Sequence, residues 1–197
     1  MRHAPATLRN REPILNVLKQ VLPKRGLLLE IASGTGEHAA FIAPELAELF
    51  WQPSEADPAA LEDIDERARA CGCKRILPAL QLDVFAADWP LSRADAVFCC
   101  NMIHIAPWAA AEGMFAGAAR LLLPSSLLIL YGPFRRNSIH TALSNAQFET
   151  WLQGLDPRFG VRCLDSEVLP LAHANGFALA DIVAMPANNF SVIWRRR

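Results

Sequence analysis

Apolar residues along the chain alternate between short continuous runs and stretches with helical spacing. The continuous runs predict strands that are buried on both faces, and they lie at 26–32, 48–55, 76–84, 94–105 and 126–134. Elsewhere the apolar residues recur with the helical period, which predicts helices at 11–22, 36–47, 57–72, 107–123, 145–155 and 165–176. Strands that alternate with helices in this way predict a mostly parallel sheet with helices on both faces.

Two more apolar runs close the chain, at 177–186 and 189–196, and the short link Ala-Asn-Asn between them predicts an antiparallel hairpin. The whole pattern predicts one α/β domain over 1–197, built on a doubly wound, Rossmann-like sheet of seven strands. A helical lead-in at 1–25 is expected before the sheet. An insertion at 135–165, after the fifth strand, is long enough to act as a lid.

Residues that start or stop helices support several of these boundaries. Pro13 is typical of the first turn of a helix, and Asn10 is a plausible cap for that helix. Asp57 and Asp165 are expected to be N-caps of the third and the last predicted helix. Gly176 is expected to end the last one.

Composition and charge narrow the classes of partner. The chain has 52% hydrophobic and 20% charged residues, and its formal net charge is -1. Binding of nucleic acid needs a concentrated basic face, so we expect a small-molecule substrate and no nucleic acid. A run of about 20 apolar residues is missing, which argues against a membrane span.

The five cysteines and five histidines show no metal-ligand spacing, so no metal is expected. An odd number of cysteines, with no apolar signal segment at the N-terminus, predicts a reducing, cytoplasmic setting. The sequence leaves the oligomeric state open.

The stretch LLLEIASGTGEH at 27–38 places an acid at the end of the first strand and a glycine turn after it. In a doubly wound sheet, ligands bind outside the carboxyl ends of the strands, and Gly34 and Gly36 permit a positive φ and close approach of the backbone. Two ligands compete for this turn, a dinucleotide and S-adenosylmethionine. Glu37 would lie beside the pyrophosphate of a dinucleotide, where a negative charge is unfavourable, whereas acids suit the cations of S-adenosylmethionine.

Acids at the ends of three successive strands favour S-adenosylmethionine. Glu30 ends the first strand, where it either accepts hydrogen bonds from the ammonium of the ligand or orients the glycine loop. Glu55 follows Gly36 by 19 residues and is expected to bind the ribose hydroxyls, while Asp57 caps the next helix. Asp83 lies at the end of the third strand, where it either accepts the adenine amino group or caps a loop.

The string LLLEIASGTG resembles the first motif of class I S-adenosylmethionine-dependent methyltransferases, E/D-x-G-x-G-x-G, with Ala32 in place of the first glycine. The resemblance covers nearly the whole chain, and a C-terminal antiparallel hairpin is the hallmark of that sheet. The chain also resembles a narrower methyltransferase-like family of unknown function, through the strings LRNREPIL, EIASGTGEHA, WQPSEAD, NMIHIAPW, YGPF and MPANNFS. The resemblance implies the class I methyltransferase fold and S-adenosylmethionine as cofactor, and it supplies no substrate.

The strand ends and the resemblance together predict the cofactor site. Asn101 and Met102 lie near the end of the fourth predicted strand, and that end faces the transferred methyl group in this fold. The full set of expected cofactor residues is Glu30, Ala32, Ser33, Gly34, Gly36, Glu55, Asp83, Val84, Asn101 and Met102.

Catalytic and substrate-binding side chains are expected after strands four and five. His104 is the candidate general base, because an ordinary histidine pKa of about 6.5 suits proton removal near neutral pH; a structural role fits it equally. Tyr131 is a candidate catalytic hydroxyl. Substrate contacts are expected from a group of polar and aromatic residues, Trp108, Arg135, Asn188, Asn189 and Arg9. The alternatives are packing for the tryptophan, solvation for the arginine of strand five and turn formation for the asparagines.

These patterns predict an S-adenosylmethionine-dependent methyltransferase that acts on an unidentified small molecule. Two alternatives stay open. One is a protein that binds S-adenosylmethionine without methyl transfer, as a sensor or scaffold. The other is an NAD(P)-dependent oxidoreductase.

Overall fold

The structure is a computed structural model that describes residues 5–197, with side chains from Thr7 onward. Its α-helices are α1 Pro5–Val21, α2 Glu37–Ile42, α3 Leu61–Cys71, α4 Trp108–Leu121, α5 Leu143–Leu155 and α6 Leu169–Ala174. Its strands are β1 Arg25–Ile31, β2 Glu48–Glu55, β3 Leu80–Gln81, β4 Ala94–Cys100, β5 Leu122–Gly132, β6 Phe177–Met185 and β7 Asn189–Arg196. No helix in the described range has the length and apolar character needed to cross a membrane.

The strands form one seven-stranded sheet in the order β3-β2-β1-β4-β5-β7-β6. Neighbouring strands from β3 to β5 are parallel, and β7 is antiparallel to both β5 and β6. This confirms the predicted doubly wound α/β fold with its C-terminal antiparallel hairpin. The strand order reverses where β1 meets β4, and ligands bind at such a switch point.

Apolar side chains fill both faces of the sheet, because successive residues of a strand point to opposite sides. On β1, Leu28 belongs to the buried cluster that includes α1 and α2, whereas Leu29 belongs to the cluster that includes α4 and α6. Phe115 and Trp194 in the second cluster are fully buried and pack edge to face, with ring centroids 6.1 Å apart. Burial on two sides explains why the strands are continuous apolar runs.

The first helix begins earlier than its apolar spacing predicted. Because α1 starts at Pro5, Pro13 lies in its interior and not in its first turn. Asn10 is not a cap either, since it lies within α1 and only 7% of its surface is exposed. Ile14 and Leu18 on the same helix pack against the sheet. That packing supports a helix in spite of a proline that has no amide hydrogen to donate.

The third strand is much shorter than the apolar run at 76–84. β3 comprises only Leu80–Gln81, and one isolated parallel bridge joins Ile76 to Trp51. Pro78 lies between them and lacks an N–H group, which interrupts the pairing. The carbonyl of Pro78 accepts a hydrogen bond from Nε2 of Gln52 at 2.6 Å, so a side chain replaces part of the missing ladder.

The fourth and fifth strands also differ from their predicted bounds. β4 stops at Cys100, because Asn101 adopts a left-handed φ of 61° and Met102–His104 form a 3-10 turn. β5 begins at Leu122, directly after α4, and not at residue 126. The residues predicted for chemistry after β4 therefore lie on a turn at the edge of the sheet.

The helix predicted at 165–176 begins with a π-helical turn, Leu164–Val168. Asp165 is not its cap; the carboxylate accepts hydrogen bonds from the guanidinium of Arg136 at 3.0–3.2 Å and from the N–H of Asn137 at 2.6 Å. Gly176 follows the helix with a φ of +76°, as expected for a residue that ends one.

Candidate functional site

The sheet brings most of the predicted site residues to one edge. They lie at or just past the carboxyl ends of the parallel strands, and at the start of β7. Across the sheet their order is Asp83, Glu55, Glu30, Asn101, Tyr131 and Asn189. The acids predicted for the cofactor therefore occupy one half of the edge. Asn101, which was also predicted for the cofactor, lies in the other half with Tyr131 and Asn189.

The turn after β1 has the backbone that its glycines predicted. Gly34 and Gly36 have φ values of +58° and +72°, and the N–H of Gly36 donates to the carbonyl of Ser33 at 2.9 Å. A Cβ on Gly34 would meet no atom within 4 Å, so this face of the turn is open to a ligand. A Cβ on Gly36 would lie only 3.1 Å from Ile64 of α3, so this glycine permits close packing.

Ala32 shares the left-handed backbone of this turn, with a φ of 56°. The class I motif has a glycine here, which adopts such a conformation without a steric penalty. For an L-residue the left-handed region costs roughly 1–2 kcal/mol. The turn thus keeps its shape at this position at some cost in stability.

Glu30 is almost completely buried, with 1% of its surface exposed. Its carboxylate accepts hydrogen bonds from the Ser33 hydroxyl and from Nε1 of Trp51, each at 2.9 Å. Burial raises the pKa of Glu30 to about 7, although these two hydrogen bonds lower it. The contacts hold the glycine turn against β2, which favours the loop-orienting role. A direct contact with the cofactor stays a prediction.

Glu55 reaches from the end of β2 to the glycine turn. One carboxylate oxygen accepts the N–H of Gly34 at 2.8 Å, and the other accepts the N–H of Ala56 at 2.9 Å. A carboxylate has about four lone-pair sites, so this half-exposed side chain can also accept ligand hydroxyls. Asp57 instead accepts the N–H of Ala59 at 2.9 Å and caps a 3-10 turn that leads into α3.

Asp83 is exposed just beyond β3. Its Oδ1 accepts the N–H of Phe85 at 2.9 Å, which is the loop-capping alternative, and its contact with adenine stays a prediction. Val84 is half-buried against the core cluster. Its carbonyl approaches Gly113 of α4 so closely that a Cβ would not fit there.

The turn after β4 is anchored to β5. Asn101 donates its N–H to the carbonyl of Tyr131 at 2.8 Å, and its own carbonyl accepts the N–H of His104 at 3.0 Å. A Cβ on Gly132 would lie 3.2 Å from Oδ1 of Asn101, so this amide lies over the end of β5. Met102 is buried, with 8% exposed. Of the two predicted cofactor residues here, Asn101 is the polar one at the edge.

His104 is completely enclosed, with 0% of its surface exposed. Its Nδ1 accepts the backbone N–H of Arg162 at 3.3 Å, and its ring packs edge to face on Phe134 at 4.9 Å. A Cβ on Gly132 would lie 2.6 Å from Nε2. Burial lowers the pKa of His104 to about 3, and the charge of Arg162 adds to this effect. An enclosed ring with so low a pKa is a weak base, which favours a structural role for His104. The general-base role stays a prediction.

Arg162 is a structural residue that the sequence analysis missed. Its Nε donates to the carbonyl of Ile103 at 2.9 Å, and its Nη2 donates to that of Ala106 at 2.8 Å. Its guanidinium lies over the ring of Trp108, 5.6 Å from the centroid, which favours packing for this tryptophan. These bonds fasten the end of the insertion to the turn after β4. No local signal reveals them, because the partners are backbone carbonyls 56 and 59 residues away.

Arg135 has a partner within the protein. Its Nη2 lies 3.2 Å from Oε2 of Glu167, with 29% and 33% of the two side chains exposed. Its N–H also donates to the carbonyl of Arg162 at 2.9 Å. The negative charge of Glu167 offsets the positive charge of the guanidinium, which weakens the case for Arg135 as the ligand of an acidic substrate. That role stays a prediction.

The link between β6 and β7 forms a tight turn. Asn188 has a left-handed φ of 58°, and its carbonyl accepts Nδ2 of Asn145 in α5 at 3.0 Å. Asn189 donates from Nδ2 to the carbonyl of Pro186 at 3.1 Å. Both asparagines thus support the turn, while a substrate contact stays a prediction for each.

Tyr131 ends β5 with 4% of its surface exposed. Burial raises the pKa of Tyr131 to about 12, and the neighbouring Cys100 adds to this, whereas hydrogen bonds from Asn10 and Asn189 and the charge of Arg9 lower it. Arg9 is exposed on α1. The far half of the edge therefore carries an enclosed hydroxyl with two amide neighbours.

A model of the family described as "Protein of unknown function (DUF938)" matches residues 1–196. The chain belongs to the DUF938 family. The match covers nearly the whole of this chain, and the description of the family assigns no activity.

Solved methyltransferases share the fold of this DUF938 chain. A putative O-methyltransferase from Nostoc punctiforme has a TM-score of 0.83 and 16% identity, over 97% of this chain and 58% of that one. The S-adenosylmethionine-dependent methyltransferase SibL has a TM-score of 0.79 and 15% identity, over 97% and 55%. A putative sarcosine dimethylglycine methyltransferase from Galdieria sulphuraria has a TM-score of 0.77 and 13% identity, over 97% and 86%. The likeness shows a methyltransferase fold, and the DUF938 chain spans little more than half the length of the first two proteins.

Ala32→Gly is expected to stabilise the DUF938 chain by roughly 0.5–1 kcal/mol, because relief of the left-handed strain exceeds the entropy that glycine adds to the unfolded state. Urea unfolding measures the change in the free energy of unfolding. Ala60→Gly is the matched control, since Ala60 has a φ of -86° and gains nothing from glycine. A loss of stability in Ala32→Gly would contradict the strain.

Glu30→Gln is expected to remove one part of the pH dependence of stability. With a pKa of about 7 instead of 4.5, the folded protein holds a proton that the unfolded chain has lost between these pH values. Wild type should therefore lose stability relative to the variant as pH rises from 4.5 to 7, by on the order of 3 kcal/mol. Urea unfolding across this range measures the difference. A difference that does not change with pH would contradict the raised pKa.

Proposed function

We propose that the protein is an S-adenosylmethionine-dependent methyltransferase whose acceptor is a small molecule. The observation that carries the proposal is an open glycine turn at Gly34, flanked by the carboxylates of Glu55 and Asp83 at the ends of the next strands across the sheet. A carboxylate at the end of the second strand is where ribose hydroxyls bind in doubly wound sheets. The methyltransferases that share the fold lend support.

The residues of the edge fit this cofactor. Gly34 leaves room for the ligand, Glu55 has lone pairs for the ribose hydroxyls, and Asp83 offers an oxygen to the adenine amino group. Glu30 keeps the turn in place through its two hydrogen bonds. When bound, S-adenosylmethionine supplies an electrophilic methyl group.

The near-neutral chain favours a small acceptor. The net charge is -1, and the densest basic run is Arg195–Arg197 at the C-terminus. Arg196 in this run donates to the carbonyl of Gly176 at 3.0 Å and its guanidinium lies over Phe177, so it serves the fold. An extended phosphate backbone would need a concentrated basic face. With a small acceptor, positioning supplies most of the catalysis, roughly 7–11 kcal/mol for a well-oriented pair.

The burial of His104 favours a second candidate, a protein that binds the cofactor without methyl transfer. A general base must reach the proton that it removes, and this ring is 0% exposed with a pKa lowered to about 3. A methyltransferase of this kind would depend on an acceptor that needs no protein base. A sensor or scaffold would need none either.

A dinucleotide fits the turn less well. Glu37 lies in the first turn of α2 with 7% exposed, and a helix N-terminus after a glycine turn is where a pyrophosphate binds. Its Oε1 lies 3.7 Å from Nη1 of Arg67, so the charge is partly offset. A carboxylate at this position still opposes a phosphate.

Glu55→Gln is expected to weaken the binding of S-adenosylmethionine by roughly 10-fold or more, because hydrogen bonds to a charged acceptor contribute about 1.5–3 kcal/mol. Calorimetric titration with S-adenosylmethionine, S-adenosylhomocysteine and NAD measures this. Asp57→Asn is the matched control, since that neighbouring carboxylate caps a turn. The affinity of this variant for S-adenosylmethionine should equal that of the wild type. Tighter binding of NAD than of S-adenosylmethionine would overturn the proposal in favour of an oxidoreductase.

Methyl transfer itself is tested with methyl-labelled S-adenosylmethionine and cell extract. Label is expected in the low-molecular-weight fraction, and it should decrease in Glu55→Gln at limiting cofactor. Label only in RNA or in a protein band would refute the small-molecule acceptor. Tight cofactor binding with no labelled product in any fraction would instead support the non-catalytic candidate.

A further inference from the structure

A cavity of about 440 Å³ lies on the flank of the sheet, between α3 and the segment that leads into β3. Its apolar lining comes from Ala68 of α3 and from Ile76, Leu77 and Pro78 of that segment. Small-molecule sites are mostly apolar clefts of about 300–1,000 Å³. The cavity therefore has the volume and the apolar lining of a ligand site.

Different faces of α3 contact the glycine turn and line the cavity. Toward the turn, Nε of Arg67 donates to the carbonyl of Thr35 at 2.8 Å, and Ile64 packs against Gly36. The residues of α3 and its end that line the cavity are offset from these by one position and recur at helical spacing, at 65, 68, 69 and 72. A ligand in the cavity therefore lies apart from a cofactor at the turn.

Hydrogen bonds hold the two walls of the cavity in place. The N–H of Leu77 donates to the carbonyl of Trp51 in β2 at 2.9 Å, and the N–H of Ala79 donates to Oδ1 of Asp65 in α3 at 2.7 Å. Gly72, which ends α3, also lines the cavity, and a Cβ there would meet no atom within 4 Å. The cavity is thus preformed and keeps an open side, as ligand pockets do.

The charged residues of the lining are two cations and one acid. Arg69 and Lys74 are exposed, and neither forms an ion pair with a residue that the structure describes. Asp65 is the acid, and its carboxylate already accepts the N–H of Ala79. An excess of positive charge beside an apolar cavity complements a ligand that has an apolar body and an anionic group.

We propose that this cavity is a second ligand site, which binds a small amphipathic anion. The apolar body of the ligand packs against Ile76, Leu77 and Pro78, and its acidic group lies at Arg69 and Lys74. The inference goes beyond the proposed function and does not rest on it, because no residue of the cavity belongs to the expected cofactor, catalytic or substrate residues.

Two neighbouring thiols allow a direct test of where a ligand binds. Cys73 is half-buried and lines the cavity, whereas Cys71 is exposed and does not line it. The probe is 4-phenylbutyrate, an aromatic ring on a short carboxylate chain. In Cys71→Ser, a probe concentration about ten times its dissociation constant should slow the alkylation of Cys73 by iodoacetamide roughly 10-fold, because only the free protein reacts. In Cys73→Ser, the probe should leave the alkylation of Cys71 unchanged. Mass spectrometry of peptides measures both rates.

Calorimetric titration tests the charge of the ligand. 4-Phenylbutyrate should bind roughly 10-fold more tightly than the uncharged 4-phenylbutanol, since each exposed cation adds a modest attraction. Lys74→Glu and Arg69→Glu should each weaken binding of the carboxylate by roughly fivefold and leave that of the alcohol nearly unchanged. Lys24→Glu is the matched control, because it makes the same change of charge at an exposed lysine outside the cavity. Ala68→Leu fills the cavity and should weaken the binding of both compounds.

The outcomes separate this inference from the proposed function. Protection of Cys73, with weaker binding of the carboxylate in Lys74→Glu and Arg69→Glu, supports the site. The site is overturned if 4-phenylbutyrate at about 10 mM gives no protection, if the carboxylate and the alcohol bind equally, or if both charge reversals leave the affinity unchanged. Saturation with S-adenosylhomocysteine should leave the protection as it is; loss of protection would overturn a separate site while the proposed function stands. If S-adenosylhomocysteine and S-adenosylmethionine do not bind, the proposed function fails, and protection of Cys73 still supports the cavity site.

Discussion

The geometry of the sheet edge depends on one buried carboxylate, that of Glu30. Burial of a charge is costly unless hydrogen bonds compensate, and here Ser33 and Trp51 supply two. Because Ser33 belongs to the glycine turn and Trp51 belongs to β2, the hydrogen bonds to this carboxylate join both segments to the end of β1. Its raised pKa of about 7 means that the compensation is incomplete. The turn is therefore shaped around an acid whose charge depends on its surroundings.

From this point the edge divides into two environments. Toward β2 and β3 it is open, with Gly34 uncovered and Asp83 exposed. Toward β4, β5 and β7 it is enclosed, because the insertion packs on the turn after β4 through Arg162, and Tyr131 at the end of β5 is only 4% exposed. An open polar half suits a cofactor with many hydrogen-bonding groups. An enclosed half suits the exclusion of water from a reacting centre.

The fold tolerates wide divergence of sequence. Two solved proteins described as putative methyltransferases are 13% and 16% identical to this chain and share its fold with TM-scores of 0.77 and 0.83. Sheet and helix packing need apolar residues of suitable size at suitable positions, and many sequences meet that need. The details that would define an acceptor lie in loops and side chains that packing leaves variable. Similarity of fold therefore predicts the architecture of the sheet better than it predicts the chemistry of the site.

The sequence by itself determined the alternation of strands and helices, the C-terminal hairpin, the glycine turn and the acids after the first three strands. These features are local: a continuous apolar run becomes a buried strand, and the turn residues set the backbone of the turn. Even so, β3 comprises only two residues after Pro78, and β4 ends at Cys100 before the left-handed Asn101, because pairing is decided by the neighbouring strand as well as by apolar content.

Only the tertiary structure decided what the polar side chains do. Asn10 contacts His38, 28 residues away, and lies beside Cys100, 90 residues away. His104 is enclosed by a segment 58 residues further on, and Arg135 meets Glu167 across 32 residues. Burial and hydrogen-bond partners of this kind come from chain segments that the fold brings together. A local pattern therefore shows that a histidine or an arginine follows a strand, but its exposure, charge and partner arise only when distant segments pack around it.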